Sequence, residues 1–456
     1  MRMSTSQGNI RHVWIALTIL SALFMFLPLH IQFIGEESVY AVYLQKMLQS
    51  GDLINIFYRP PLFLWAGDLL YGWLHFLPIE LPLRIVSILF SIGSAGVAAL
   101  FAHKVFRDKN AAVLAALVFL TLGEIQFWYG WLGYADAMFL FFIFSSGVSV
   151  WLAAQSRSVF WYGLAVLLIN GAFLTKAITA YAFFFSTLAV VAYGFHSWRF
   201  FFRPINVLLS LAAFSAPIFW MQMHGSGADA SFASLVHDIA MRFREVSPLK
   251  YLGHLVTIPA LFVERMAPVS LVVLWFVAKR KGYFPDKDID LILWILLINF
   301  IPYWVAPFSG MRHVMPLYGW ASLVLTYWLL KLDFNARKAA SVAIVIVLFL
   351  KIPFSFWALP VFKGDRRHGE MTFRAIAADV LHYTRGMAPI RQKNVTFVGF
   401  SVVAYINEIR KGQPCIRFLR RGEHGVYVLA YTPMKHASLI KKYAPFNSPL
   451  YLLYLE

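Results

Sequence analysis

The sequence predicts an all-α polytopic membrane protein with a small α/β unit at its C-terminal end. Three observations carry this. First, 60% of the 456 residues are hydrophobic and only 14% are charged, against about 25% charged in a soluble globular protein. Second, apolar runs near bilayer length recur along residues 1–362. Third, the composition changes beyond about residue 362. A chain this apolar cannot cover itself with polar surface, which excludes a water-soluble enzyme. It also excludes disorder, which needs low hydrophobicity. The lone cysteine, Cys415, excludes an internal disulfide and any multi-cysteine metal site. The formal charge of +18 fits basic loops facing anionic lipid, and no nucleic-acid partner is expected.

A spanning helix needs about 20 mostly apolar residues. Such runs fall at about 13–33, 84–102, 111–122, 131–154, 159–174, 177–195, 204–221, 256–278, 289–305, 314–330 and 339–361. That is about eleven spans, with 159–195 read as a hairpin whose tip is Lys176. With the N-terminus in the cytoplasm, the inner loops hold 15 Lys/Arg in 50 residues and the outer loops eight in 105. Positive charge stays inside. The expectation is a bacterial inner-membrane protein with a cytoplasmic N-terminus and a periplasmic tail. The first run is too long for a cleaved signal peptide.

The chain therefore divides into a membrane catalytic domain, 1–362, and a small extracytoplasmic α/β domain, 363–456. The tail mixes helix-like and strand-like patterns, such as Phe373–Tyr383 and Val426–Tyr431. It carries 15 Lys/Arg against six Asp/Glu. That balance suits either a solvated basic lid or attraction to anionic headgroups.

The first outer loop, 34–84, is the most specific stretch. Glu36-Glu37 sits where the first span leaves the membrane. A short amphipathic helix follows and ends at Gly51. Then comes Tyr58-Arg59-Pro60-Pro61-Leu62, where the Pro-Pro pair forces an extended turn and starts a helix over about 61–76, read as lying in the interface.

These stretches resemble the GT-C class of polytopic glycosyltransferases, in the branch that includes bacterial aminoarabinose transferases of lipid A and dolichyl-phosphate-mannose protein mannosyltransferases. The matching stretches are Glu36-Glu37, Tyr40-Ala41, Met47-Leu48-Gln49-Ser50-Gly51-Asp52 and Arg59-Pro60-Pro61-Leu62. Further matches are Tyr134-Ala135-Asp136, Leu174-Thr175-Lys176 and Arg312-His313-Val314-Met315-Pro316. They occur in order over about residues 30–320. Glu36 stands where the family usually has Asp, Arg59 where it usually has Lys, and His313 where it usually has Tyr.

The resemblance implies inverting transfer of a sugar from a polyprenyl phosphate, such as undecaprenyl phosphate, to an envelope acceptor outside the inner membrane. Lipid A or lipopolysaccharide, a glycolipid and a protein are all candidate acceptors. Fixed cations would stabilise charge growing on the leaving phosphate, and a carboxylate would take the acceptor's proton. Glu36, Glu37 and Asp136 are the candidate catalytic carboxylates. Arg59, Lys176 and Arg312 are the candidate contacts to the donor phosphate. Tyr40, Tyr58 and His313 are candidate substrate contacts. No cofactor is fixed by the resemblance, and a divalent metal is compatible with it. His224, His237 and His254 match no metal template. Glu264 and Arg265 read as a structural boundary. Two rivals are a lipid or sugar transporter or flippase and an assembly protein docked through its tail. Transporters place charges near the membrane midplane, whereas here they crowd the outer span ends.

Overall fold

The computed structural model describes residues 3–54, 60–176, 178–224, 247–280, 286–306, 310–363, 371–386, 389–445 and 448–456. Helices dominate. Those of the membrane part, in chain order, are α1 (Met3–Phe24), α2 (Glu37–Ser50), α3 (Leu62–Trp73), α4 (Glu80–Phe106), α5 (Lys109–Leu120), α6 (Asp136–Ser156), α7 (Val159–Thr175), α8 (Ala180–Gly194), α9 (Trp198–Phe201), α10 (Pro204–Ala212), α11 (Ser215–His224), α12 (Pro248–Arg265), α13 (Val269–Arg280), α14 (Lys287–Val305), α15 (Tyr318–Lys331), α16 (Phe334–Pro353) and α17 (Leu359–Lys363).

Among the described residues, six segments are long and apolar enough to cross a bilayer unaided: Ile10–His30, Glu80–Phe106, Asp136–Ser156, Pro204–Met223, Lys287–Val305 and Phe334–Lys363. This is a multi-pass membrane chain. The expected run 256–278 is bent: α12 and α13 meet at 106°, so it forms either a broken span or a re-entrant loop. The runs at 111–122, 159–174 and 177–195 form shorter apolar helices, α5, α7 and α8. Trp131–Ala135 precede the helix expected at 131–154, which begins only at Asp136. Asp108, Asp286 and Asp333 cap α5, α14 and α16 by accepting hydrogen bonds from first-turn amides.

The tail holds α18 (Phe373–Tyr383), α19 (Phe397–Ile409) and the strands β1 (Ile390–Lys393), β2 (Arg417–Phe418), β3 (Val426–Ala430), β4 (Ala437–Tyr443) and β5 (Leu450–Leu455). The sheet order is β2-β1-β3-β5-β4. β1 is parallel to β2 and β3, and β5 is antiparallel to β3 and β4. The chain passes from β1 to β2 through α19, the crossover that parallel neighbours require.

Sequence composition divides the chain near residue 362, but packing does not. Tyr40, Leu44 and Met47 of α2, Phe63 of α3 and Leu83 of α4 share one buried cluster with Phe373, Ile376, Val402 and Ile406 of the tail. Polar contacts reinforce it. The Gln45 amide donates to Ala404 O at 2.8 Å, and the Gln49 amide donates to Gln413 O at 2.8 Å. The second outer-loop helix, α3, packs on α2 and α4. The first outer loop is thus clamped between the membrane helices and the tail.

Candidate active site

The start of α2 is built around Glu37. Its carboxylate is 1% exposed and faces Arg84 of α4 at 2.7 Å. It also accepts from the amides of Ile34 at 2.8 Å and Gly133 at 2.7 Å. Arg84 in turn donates to the carbonyls of Leu29, Ile31 and Gln32. Both ions are therefore saturated inside the protein, which is the condition for tolerating a buried pair. Sequence reading grouped Glu37 with the catalytic carboxylates, but the structure turns it away from solvent into this latch. Arg84 was visible only as a charge at the edge of a span.

Gly35, at φ +58°, lets the chain turn into α2. A Cβ there would collide with the Tyr134 hydroxyl. That hydroxyl donates to Ile34 O at 3.0 Å and accepts from the Glu36 amide at 2.8 Å. Ser87 and Ser91 of α4 donate to the carbonyls of Tyr134 and Gly130, fixing the 130–134 loop. Burial pushes the Tyr134 hydroxyl well above its ordinary pKa, so it stays neutral.

On this frame Glu36 points the other way, half-buried, and pairs with Arg312 at 3.0 Å. Arg312 comes from the 3₁₀ turn Met311–Leu317. Asp136 opens α6 and pairs with Lys176 at the end of α7. Arg312 and His313 add positive potential at Asp136. Burial works against the Arg312 charge, but Asp136 and Glu36 more than offset it and raise its pKa. Four of the residues singled out from sequence thus meet as two neighbouring ion pairs. Tyr40 lies buried beneath them, 5.3 Å edge-on from the Phe63 ring and 6.5 Å from the Tyr134 ring. Tyr58 and Arg59 lie outside the described residues.

Beside these pairs is a cavity of about 870 Å³. Phe33, Ile34, Trp128, Tyr129, Tyr134, Arg265 and Arg312 line it from the membrane part, and Phe373, Phe397, Val398 and Ser401 from the tail. Lys363 adds a third cation. Glu124 also lines it and accepts from Arg265 at 3.0 Å. Arg265, expected as a structural boundary, does end α12, and its side chain also lines the cavity. Pro268, three residues on, was the available signal, since proline stops a helix shortly before it. Nothing in the local pattern marked Glu124, Tyr129 or Lys363. Burial raises the Tyr129 hydroxyl pKa, so it too stays protonated.

Among the described residues no three His, Cys, Asp or Glu side chains gather into a metal site. Glu36 and Asp136 are each engaged by a cation instead. His254 stacks on Tyr251 at 6.4 Å, and His237 lies outside the described residues.

The fold has known counterparts. The crystal structure of ArnT from Cupriavidus metallidurans bound to undecaprenyl phosphate superposes with a TM-score of 0.70 over 96% of this chain and 98% of that one, at 12% identity. The apo crystal structure of the same protein superposes at 0.69 over 99% and 98%, at 11% identity. The chain has the ArnT fold. In sequence it is similar to the undecaprenyl phosphate-alpha-4-amino-4-deoxy-L-arabinose arabinosyl transferase of Pseudomonas aeruginosa strain UCBPP-PA14, 26% identical over 336 residues. The match takes in 68% of this chain and 57% of that protein. The transferase of the same name from Pseudomonas paraeruginosa is 30% identical over 191 residues, 38% of this chain and 33% of its own length. The chain thus spans about half the length, or less, of the curated relatives it matches. No family model matches it.

Proposed function

We propose that this chain is an inverting glycosyltransferase. It moves a sugar from undecaprenyl phosphate to an envelope acceptor, lipid A among the candidates, at the outer face of the bacterial inner membrane. The observation that carries this reading is the Glu36–Arg312 pair beside a cavity shared by membrane helices and tail. The ArnT fold and the sequence similarity to arabinosyl transferases support it.

The chemistry follows from the lining. A lipid-linked donor needs an apolar region for its chain and cations for its phosphate. Aromatic side chains supply the first, and Arg312, Arg265 and Lys363 the second. A phosphate entering the cavity competes with Glu36 for Arg312. That frees the Glu36 carboxylate to take the proton of an attacking hydroxyl, or to orient an acceptor that is already ionised. As the glycosidic bond breaks, negative charge gathers on the phosphate oxygen, and the fixed guanidinium groups stabilise it more than the ground state. Lys176 and Asp136 form the adjacent pair that shapes the potential around this point. Arg59 and Tyr58 retain their proposed donor and substrate contacts from the family resemblance. His313 and Tyr40 belong to the surrounding shell. Glu37 holds α2 in place rather than touching substrate.

The biased distribution of Lys and Arg supports a cytoplasmic N-terminus and an extracytoplasmic tail. The deciding experiment is turnover of a synthetic undecaprenyl-phosphate sugar by the purified chain. It is paired with mass spectrometry of envelope lipids and proteins from cells with and without the gene. Release of undecaprenyl phosphate together with a glycosylated acceptor is expected. Release of neither overturns the reading.

A further inference from the structure

One ionisable group inside the membrane part takes no role in the chemistry above. Lys351 lies near the end of α16, within the span Phe334–Lys363, and is fully buried. An ionisable residue at such a place is costly. Among the described residues no carboxylate lies within ion-pair distance of it. Instead its Nζ donates to the carbonyl of Gln126 at 2.5 Å. It also sits 5.3–5.6 Å from the ring centroids of Trp131, Phe127 and Phe354. These rings enclose the side chain on the way to that carbonyl.

The carbonyl it grips is not in an ordinary helix. Gln126 belongs to the π-helical turn Ile125–Tyr129. A second π turn, Phe354–Ala358, begins just beyond Lys351. The two turns meet through Phe354, whose ring lies 5.0 Å from Phe127 and 5.5 Å from Trp128. Widened turns leave carbonyls without their usual helical donors and occur often at functional sites. Two residues of the first turn, Trp128 and Tyr129, line the candidate cavity.

We infer that Lys351 is a positioning residue, a buried clasp whose Nζ holds the Ile125–Tyr129 turn in its widened form and so sets the Trp128–Tyr129 wall against the lipid-phosphate ligand. This rests on the reading of the cavity proposed above. Its own content is that an amine buried in the membrane part, remote from Glu36 and Arg312 in sequence, controls the shape of that wall.

The experiment compares full-length wild type, Lys351→Met and Lys351→Arg in detergent. Amide hydrogen exchange over residues 125–131 is measured without ligand. Binding of undecaprenyl phosphate is measured by native mass spectrometry. Lys351→Met should speed exchange in that segment and weaken binding about tenfold, a change well above assay error. Lys351→Arg, which keeps a long side chain ending in nitrogen donors, should restore both to near wild type. If the methionine variant does not purify, Lys351→Leu takes its place with the same expectations. Unchanged exchange over 125–131 overturns the clasp. Faster exchange with unchanged binding overturns its control of the wall. A wild type that does not bind undecaprenyl phosphate overturns the functional reading instead, and the exchange arm still judges the clasp.

Discussion

The Glu36 carboxylate lies 3.0 Å from the Arg312 guanidinium. This pair joins the first turn of the first outer-loop helix to a 3₁₀ turn far along the chain, and both partners remain partly open to solvent. The neighbouring Glu37 is its opposite: the next residue in sequence, fully enclosed, and held by Arg84 and two amides. Adjacent residues at a helix start point in different directions, so one carboxylate stays partly open to solvent and the other is built in.

Replacing Glu36 with Gln should abolish transfer to a hydroxyl acceptor while leaving insertion and folding intact. The amide keeps the shape and removes the basic site. General-base catalysis contributes about 10²–10⁴-fold, so a fall of that size in kcat is expected. Near-normal turnover by the purified variant rules out the base role.

Arg312→Ala should raise the KM for the lipid-linked donor at least about tenfold, since a charge-assisted contact to phosphate is lost. Kinetics at varied donor concentration, with acceptor saturating, provide the check. Because the two partners are only partly buried, thermal stability should change little. An effect confined to acceptor dependence contradicts the assignment.

Glu37→Gln or Arg84→Met should act on stability first. Removing one partner of a buried pair leaves an uncompensated charge, a loss of about 3–5 kcal/mol. The readout is a lowered unfolding temperature in detergent, accompanied by loss of activity in proportion to loss of folded protein. A Glu37 variant that is inactive yet as stable as wild type places this carboxylate in the chemistry instead.

Cys415 reports the side of the membrane on which the tail lies. Its backbone amide donates to the Gln49 side-chain Oε1 at 2.7 Å, and its side chain is half-buried. Burial pushes the thiol pKa up, so the reactive thiolate is scarce at neutral pH. An impermeant maleimide should therefore label intact spheroplasts slowly at pH 7 and faster as the pH rises, with inverted vesicles protected. Labelling of inverted vesicles alone reverses the topology.

Asp379 of α18 accepts from Tyr443 at 2.6 Å and pairs with Lys441 at 2.8 Å. Desolvation is outweighed by these donors, and its pKa falls below the ordinary 3.8. A carboxylate depressed in the folded state binds fewer protons there than in the unfolded chain. Its stabilisation is present above pH 3.8 and is lost as the pH drops through the lower folded value. Asp379→Asn should flatten this acid limb in thermal scans of the protein, by a small amount because the group is largely solvated. An unchanged acid limb disproves the linkage.

The sequence by itself determined the solvent in which this chain folds. Apolar runs of bilayer length, and too few charges for a soluble surface, admit little else, because each reports a property of one segment. The outer-loop helix that stops at Gly51 and the tail helix Phe373–Tyr383 were legible for the same local reason. Motif order drew attention to Glu36, Asp136, Lys176 and Arg312, but pairing among them is a matter of three-dimensional packing. Only the tertiary structure decided that Glu36 meets Arg312 while Glu37 is sealed against Arg84, since both partners come from distant segments. It alone brought Arg265 and Lys363 to the cavity, at the end of a bent helix and of a long one. It alone joined the tail to the outer-loop helices in one core. Spacing along a chain encodes periodicity and local turns. It does not encode which distant segments close on one another, and the candidate site is made of such closures.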